Sequence, residues 1–171
     1  LYGIGLKYEK LDYRLNPRKG YSILSNVSVG TKSIQKNSKL NPIVYDSLKL
    51  ISTQYNCDLK ANFFIPIINK STVRIGTQAA FLSGENTFSN ELFRIGGLNT
   101  LRGFDEQSIY ASSYAIFTLE YRFILEQNSY LYAFGDQAWY ENNANKKYIT
   151  DTPFGFGAGI SFETKAGIFS M

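Results

Sequence analysis

Among the acidic side chains of this 171-residue chain, Glu120 and Asp136 are the pair to consider first for chemistry. Glu120 and Asp136 could form a glycosidase-like acid pair, but the sequence defines neither the distance between their carboxyl groups nor a sugar cleft. Carboxylates also pair with arginine, and such pairs are strong and directional when they are bidentate. We therefore favour a structural or electrostatic role for Glu120 and Asp136 over a catalytic one.

The chain lacks the signatures of the common enzyme sites. It contains no histidine, which excludes a histidine-dependent triad or zinc hydrolase within it. Neither a G-x-S-x-G elbow nor a P-loop is present. Gly155, Gly157 and Gly159 superficially resemble a nucleotide-binding loop, yet their every-second spacing places them on one face of a strand that needs small residues. We expect no catalytic residue, no metal ligand and no cofactor.

Composition predicts an all-β chain. Tyrosine and phenylalanine occur 13 times each, beside 14 glycines and one methionine, which is typical of strands joined by turns. The net charge of +4 comes from 18 Lys and Arg residues that are spread along the chain, so we expect no nucleic-acid partner. Cys57 is alone, which excludes an intrachain disulfide.

We expect no membrane-spanning helix and no signal peptide. The longest nearly apolar run, 61–68, contains Asn62 and Pro66 and is far shorter than the ~20 residues that such a helix needs. A strand-like pattern begins directly at Leu1, as in a processed product or an excised fragment.

Hydrophobic side chains alternate with polar ones in seven segments, and this period of two predicts seven strands. The segments begin near Tyr2, Tyr21, Ile51, Val73, Phe117, Tyr130 and Phe154, and Gly167 could open an eighth. Gln137 falls on the otherwise apolar face of the sixth segment and does not fit. Short connections such as 68–71 and 127–129 predict hairpins, so the expected sheet is an antiparallel meander.

Two architectures fit this alternation. A soluble sandwich or lipocalin-like barrel turns its apolar face inward, whereas a membrane barrel turns it towards lipid around a polar lumen. Opposite charges on the polar face, at Arg102, Glu120, Arg122 and Asp136, favour the membrane barrel, as do aromatic residues near strand ends. Strands of ten or more residues also match the ~9–11 that cross a bilayer at a tilt.

A long connection, about residues 83–113, separates the fourth and fifth strands and carries the sequence GGLNTLRGF at 96–104. It is too rich in Leu, Ile and Phe for simple disorder, and connections of this length are uncommon unless they are functional. Here the chain resembles the C-terminal barrel of the BamA/TamA outer-membrane assembly superfamily, the bacterial surface-antigen family, which includes two-partner secretion transporters. The match covers the paired glycine, Gly96 and Gly97, and the arginine-glycine-aromatic motif Arg102-Gly103-Phe104.

The resemblance implies roles for these residues. In that family the sixth extracellular loop carries the motif and folds back into the lumen. Glu120, in Thr-Leu-Glu-Tyr, and Asp136, in Phe-Gly-Asp, match the acids that are the implied lumen partners of Arg102. Their parity on the strands also points both acids inward. Gly103 would permit close approach or a positive φ, and Phe104 would wedge the loop against the wall.

The resemblance also implies a function and a location. The family barrel has sixteen strands, so residues 1–171 would be one partial barrel domain of about eight strands in the bacterial outer membrane. The implied function is non-enzymatic assembly of outer-membrane proteins. The implied partners are the lipid bilayer with lipopolysaccharide, client outer-membrane or secreted proteins, and periplasmic or lipoprotein accessory subunits. A two-partner secretion pore, a barrel that anchors an enzyme such as a patatin-like lipase, and a soluble module remain alternatives.

Overall fold

The computed structural model describes residues 1–36, 49–85, 87–144, 148–165 and 167–171. These residues form an all-β structure, as the composition predicts, with one short 3-10 turn at Ser89–Glu91. Eight strands form one continuous path: β1 (Tyr2–Leu11), β2 (Gly20–Ser33), β3 (Ile51–Ile68), β4 (Ser71–Gly84), β7 (Ser113–Glu126), β8 (Ser129–Asn142), β10 (Phe154–Thr164) and β11 (Gly167–Ser170). The remaining strands are β5 (Phe93–Ile95), β6 (Ile109–Ala111) and β9 (Ile149–Asp151).

Each strand of the path pairs with the next one in an antiparallel ladder, in the order β1-β2-β3-β4-β7-β8-β10-β11. The predicted antiparallel meander is therefore confirmed, including an eighth strand that begins at Gly167. The sheet is not closed on itself. Within the described ranges, no helix has the length and apolar character that crossing a membrane requires.

The connections differ strongly in length between the two ends of the sheet. Residues 12–19, 69–70 and 127–128 form the connections at one end, which we call the short-turn end. The connections at the other end, the long-loop end, are residues 34–50, 85–112 and 143–153. Outer-membrane barrels have the same asymmetry, with short periplasmic turns and long extracellular loops.

The two faces of the sheet carry different side chains, and β7 shows this most clearly. Phe117, Leu119, Tyr121 and Phe123 are 41–51% exposed on one face, the outer face. The opposite side chains of β7, from Ile116 to Ile124, are 1–7% exposed on the inner face, which carries Glu120 and Asp136. Because large apolar side chains face outward and charged ones inward, the polarity is that of a membrane barrel and not of a soluble sandwich.

Gln137, which does not fit the apolar parity of β8, has a local explanation. Its side chain lies on the outer face, where its Nε2 donates to the carbonyl oxygens of Ala138, Thr152 and Pro153 at 3.0, 3.2 and 3.3 Å. These carbonyls lie at the break between β9 and β10, so the outward-facing amide finds backbone acceptors there. The short strands β5, β6 and β9 are not predicted by the sequence, because three residues are too few to show an alternation.

Candidate functional site in the loop between β4 and β7

The loop between β4 and β7, residues 85–112, forms a small hairpin of its own. β5 pairs with β6 in a two-stranded sheet, and the paired glycine follows β5 directly. Gly96 and Gly97 have φ of +113° and +92°. A Cβ at Gly96 would lie 2.3 Å from the carbonyl oxygen of Asp105. Glycine is thus required at the start of the turn that leads into the arginine-glycine-aromatic motif.

Apolar side chains attach this loop to the inner face of the sheet. Ile95 and Leu101 from the loop pack with Ile116 of β7 and Ala138 of β8, and all four are essentially buried. Phe104 is half-buried and packs against this cluster. The loop therefore folds inward across β7 and β8. Leu101, which is 0% exposed, was not singled out by the sequence, since one leucine in an apolar loop has no distinctive signal.

Arg102 reaches both acids that the sequence pairs with it. Its Nε and Nη2 donate to the two carboxylate oxygens of Asp136 at 2.7 and 2.8 Å, and its backbone N–H donates to Oδ2 at 3.2 Å. Its Nη1 donates to Oε2 of Glu120. The guanidinium also lies 3.7 Å from the ring centroid of Phe134. This arrangement is the bidentate geometry that makes arginine–carboxylate pairs strong and directional.

The sheet register brings the two acids to the same place on the inner face. Thr118 of β7 lies opposite Asp136 of β8, so Glu120 is the diagonal neighbour of Asp136. Glu120 and Asp136 are 3% and 0% exposed, and Arg102 is 8% exposed. The three charges are therefore removed from water together, and each compensates the desolvation of another.

Glu120 is shared among three arginines. Besides Arg102, its carboxylate accepts from Arg122 Nε at 2.7 Å and lies 3.5 Å from Arg74 Nη1. Arg74 also donates from Nε to Oδ1 of Asn62 at 2.9 Å. The sequence places Glu120 and Arg122 on the same polar face of β7, and the structure pairs them. Arg74 could not be assigned in this way, because its approach depends on the pairing of β4 with β7, where Arg74 lies opposite Glu120.

The glycine row of β10 makes room for the motif. A Cβ at Gly155 would lie 1.9 Å from the carbonyl oxygen of Arg102, and a Cβ at Gly157 would lie 3.0 Å from the ring of Phe134. Gly103 has a φ of +90° and lies beside Gly155. The interpretation of this row as a crowded inner face that needs small residues is confirmed.

A second contact holds the beginning of the loop, and sequence reasoning missed it. Glu91 accepts from Lys32 Nζ of β2 at 2.5 Å, from the backbone N–H of Phe88 at 2.8 Å and from Gln54 Nε2 of β3 at 3.2 Å. Burial would raise the pKa of Glu91, but the hydrogen bonds from Lys32 and Phe88 outweigh it and lower the pKa below its usual value. The loop is thus attached both to β2 and β3 and to β7 and β8.

The chemistry available at this site is charge pairing. Among the described residues, no group of three or more histidine, cysteine, aspartate or glutamate side chains could hold a metal ion. The carboxylates of Glu120 and Asp136 are both occupied by guanidinium donors, so the arrangement serves to hold a loop in a defined position.

Comparison with known families agrees with the fold. A family model for the Omp85 superfamily domain matches residues 1–171. No match was found among curated proteins. The match covers the whole sequence, and the antiparallel meander agrees with it. The chain therefore belongs to the Omp85 superfamily, whose members are β-barrel proteins of the Gram-negative outer membrane.

Proposed function

We propose that this chain is the barrel segment of a BamA/TamA-like protein that inserts client β-barrel proteins into the outer membrane. Membership of the Omp85 superfamily supports the coarser statement, which is an outer-membrane barrel of a protein insertion or secretion family that works with client proteins. The observation that carries the bracing role in this proposal is the buried clamp of Arg102 with Glu120 and Asp136, which holds the loop on the inner face.

In the proposed mechanism, a weakened barrel seam offers an unpaired strand edge on which a client strand can form β-ladder hydrogen bonds. Pairing of this kind needs neither ATP nor covalent chemistry. The barrel must stay open enough at the seam to accept a client and rigid enough elsewhere to keep its shape. The loop would supply that rigidity, since removing one partner of a buried ion pair costs about 3–5 kcal/mol.

The proposed partners follow from the two faces and the two ends of the sheet. The exposed apolar band of the outer face suits the hydrocarbon core of the bilayer, and the long-loop end would meet lipopolysaccharide. Client outer-membrane proteins would approach within the membrane plane. Periplasmic or lipoprotein accessory subunits would bind at the short-turn end. Residues 1–171 would act as part of one barrel domain, with no catalytic residue, no cofactor and no nucleic-acid partner.

Replacement of Arg102 in the full-length protein tests this proposal. We expect Arg102→Ala to lower the temperature at which the folded barrel unfolds in gel heat-modifiability assays, and to slow insertion of a client β-barrel into proteoliposomes. Arg94→Ala is the matched control, because Arg94 is an exposed arginine of the same loop whose described contact is with the ring of Tyr110 at 5.4 Å. Unchanged heat-modifiability together with unchanged client insertion would remove the bracing role from Arg102.

The same proteoliposomes separate insertion from the alternatives. A two-partner secretion pore would move a soluble substrate across the vesicle membrane and leave β-barrel clients uninserted. A barrel that anchors an enzyme would do neither, and the full-length protein would carry hydrolase activity in another domain. Insertion of a client at a rate above that of empty liposomes is the result that supports the assembly function.

A further inference from the structure

The turn between β1 and β2 contributes a buried side chain to the inner face. Asn16 is 2% exposed although it lies in the middle of a connection at the short-turn end. Its Nδ2 donates to the carbonyl oxygen of Gln127 in the β7–β8 turn at 3.0 Å, and its Oδ1 accepts from Arg122 Nη1 at 3.2 Å. A buried amide with both ends bonded is a fixed element of the structure.

The turn itself is held in shape by Asp12. Its Oδ1 accepts from the backbone N–H groups of Arg18 and Lys19 at 3.0 and 3.1 Å, and its own N–H donates to the carbonyl oxygen of Lys19 at 3.1 Å. Asn16 therefore projects from a turn whose ends are tied together, so a movement of the turn also moves the Asn16 side chain.

Four side chains connect this turn with the loop. Asn16 accepts from Arg122, Arg122 donates to Glu120, and Glu120 accepts from Arg102, with each of the four at most 8% exposed. The guanidinium of Arg122 also lies 4.6 Å from the ring centroid of Tyr130. The path runs from the short-turn end to the loop that enters from the long-loop end.

Each link restricts the geometry of the next. Arg122 bonds Glu120 through Nε and Asn16 through Nη1, so the orientation of its planar guanidinium is defined at both ends. If Asn16 is removed, the guanidinium loses the contact that fixes its Nη1 end, and its bond to the Glu120 oxygen is held less firmly in place. Glu120 then is less well oriented for Arg102, because buried charge networks are stabilised cooperatively.

We propose that the β1–β2 turn and the Arg102 loop are conformationally coupled, with Asn16 as a positioning residue that acts on Arg102 through Arg122 and Glu120. A displacement of the turn at the periplasmic end loosens the loop inside the barrel, and release of the loop frees the turn. This coupling deepens the bracing role proposed above and rests on it. A conformational change at the periplasmic surface would thereby alter how firmly the Arg102 loop is held inside the barrel.

Asn128 provides a matched control for Asn16. It lies in the β7–β8 turn at the same end, it is 6% exposed, and its Nδ2 donates to Glu163 Oε2 at 3.0 Å. Its second described contact is with the hydroxyl of Tyr13 in the β1–β2 turn, at 3.4 Å, a long and weak hydrogen bond. Asn128→Ala therefore removes a buried turn amide of the same type without removing a contact of Arg122.

Hydrogen–deuterium exchange of the full-length protein in detergent tests the coupling, with peptides that cover residues 96–108 as the readout. The backbone N–H of Arg102 bonds Asp136, so its exchange reports loop opening directly. We expect Asn16→Ala to raise exchange in this segment about three- to tenfold. This range follows if the loop loses part of the stabilisation that one hydrogen bond to a charged group provides. Asn128→Ala leaves this segment at the wild-type rate.

Asn16→Asp separates the two contacts of Asn16. A carboxylate can still accept from Arg122 but cannot donate to Gln127, so we expect the loop to stay protected. Increased exchange in Asn16→Asp equal to that in Asn16→Ala would overturn the proposal, and so would equal effects of Asn16→Ala and Asn128→Ala. If Asn16→Ala does not fold, Arg122→Gln breaks the same path, and unchanged exchange in that variant overturns the coupling equally.

The two proposals fail separately in this design. If the wild-type protein inserts no client faster than empty liposomes do while Asn16→Ala still raises exchange at 96–108, the assembly function fails and the coupling stands. If Arg102→Ala slows insertion while Asn16→Ala leaves exchange unchanged, only the coupling fails.

Discussion

Replacing Glu120 by glutamine tests the charge cluster most directly, because this one carboxylate serves three arginines. Glutamine has nearly the same shape but no charge, and its amide nitrogen is a donor that would face guanidinium donors. Asp136 would then be the remaining carboxylate of the cluster, and it bonds only Arg102, so Arg122 and Arg74 would have no carboxylate partner in the cluster. The variant therefore leaves buried positive charge without compensation.

The magnitude follows from burial. Removing one partner of a buried ion pair costs about 3–5 kcal/mol. The Arg74 contact adds little, since its N–O distance is 3.5 Å and its side chain is 20% exposed. A loss of about 3–5 kcal/mol corresponds to a fall of about 6–20 °C in the unfolding midpoint of a domain of this size.

The assay is the heat-modifiability midpoint of the full-length protein, measured as the temperature at which the folded gel band is lost. Glu126→Gln is the matched control, since Glu126 lies exposed on the same strand β7. We expect the control to change stability by less than about 0.5 kcal/mol. Equal midpoints for Glu120→Gln and Glu126→Gln would refute the conclusion that the cluster stabilises the loop through buried charge pairing.

Two further changes have clear expected outcomes. Gly155→Ala should prevent the loop from seating, because a Cβ there would lie 1.9 Å from the carbonyl oxygen of Arg102, whereas Gly135→Ala on the outer face meets only a ring at 3.5 Å. Loss of the folded band in both variants, or in neither, would contradict this. Glu91 has a lowered pKa, so its bond to Lys32 stabilises the loop fully above its unfolded pKa of about 4.3 and is lost as the pH falls through the lower, folded value. Exchange of peptides around Glu91 should therefore rise only below about pH 4.3, and Glu91→Gln should abolish this dependence.

The strands and their faces could be predicted from the sequence because alternation is a local property. Phe117, Leu119 and Tyr121 lie on the outer face with the parity that their positions dictate, and Glu120 lies on the inner face between them. Gln137 shows the limit of this reasoning. Its side chain lies on the outer face, as the alternation along β8 predicts. Its partners include the carbonyl oxygens of Thr152 and Pro153, which follow β9, and no pattern in β8 indicates them.

The site was predictable only as far as a motif could indicate it. Arg102, Glu120 and Asp136 were identified through residues that resemble a family pattern, and the structure brings the three together. The sequence did not identify Leu101 and Glu91 as residues that hold the loop, because neither has a distinctive residue type or spacing. Both hold the loop through contacts with strands that are distant in sequence. A pattern within one segment cannot predict such contacts.

The sequence by itself thus determined an all-β meander, the polarity of its two faces and a glycine-bounded loop with a central arginine. These follow from side-chain period, turn residues and charge, which are properties of neighbouring positions. Only the tertiary structure decided that Glu120 is shared among three arginines and that Asn16, in the β1–β2 turn, accepts a hydrogen bond from Arg122 of β7. The reason is physical: strand register and the path of the loop select these partners, and both result from how the whole sheet packs.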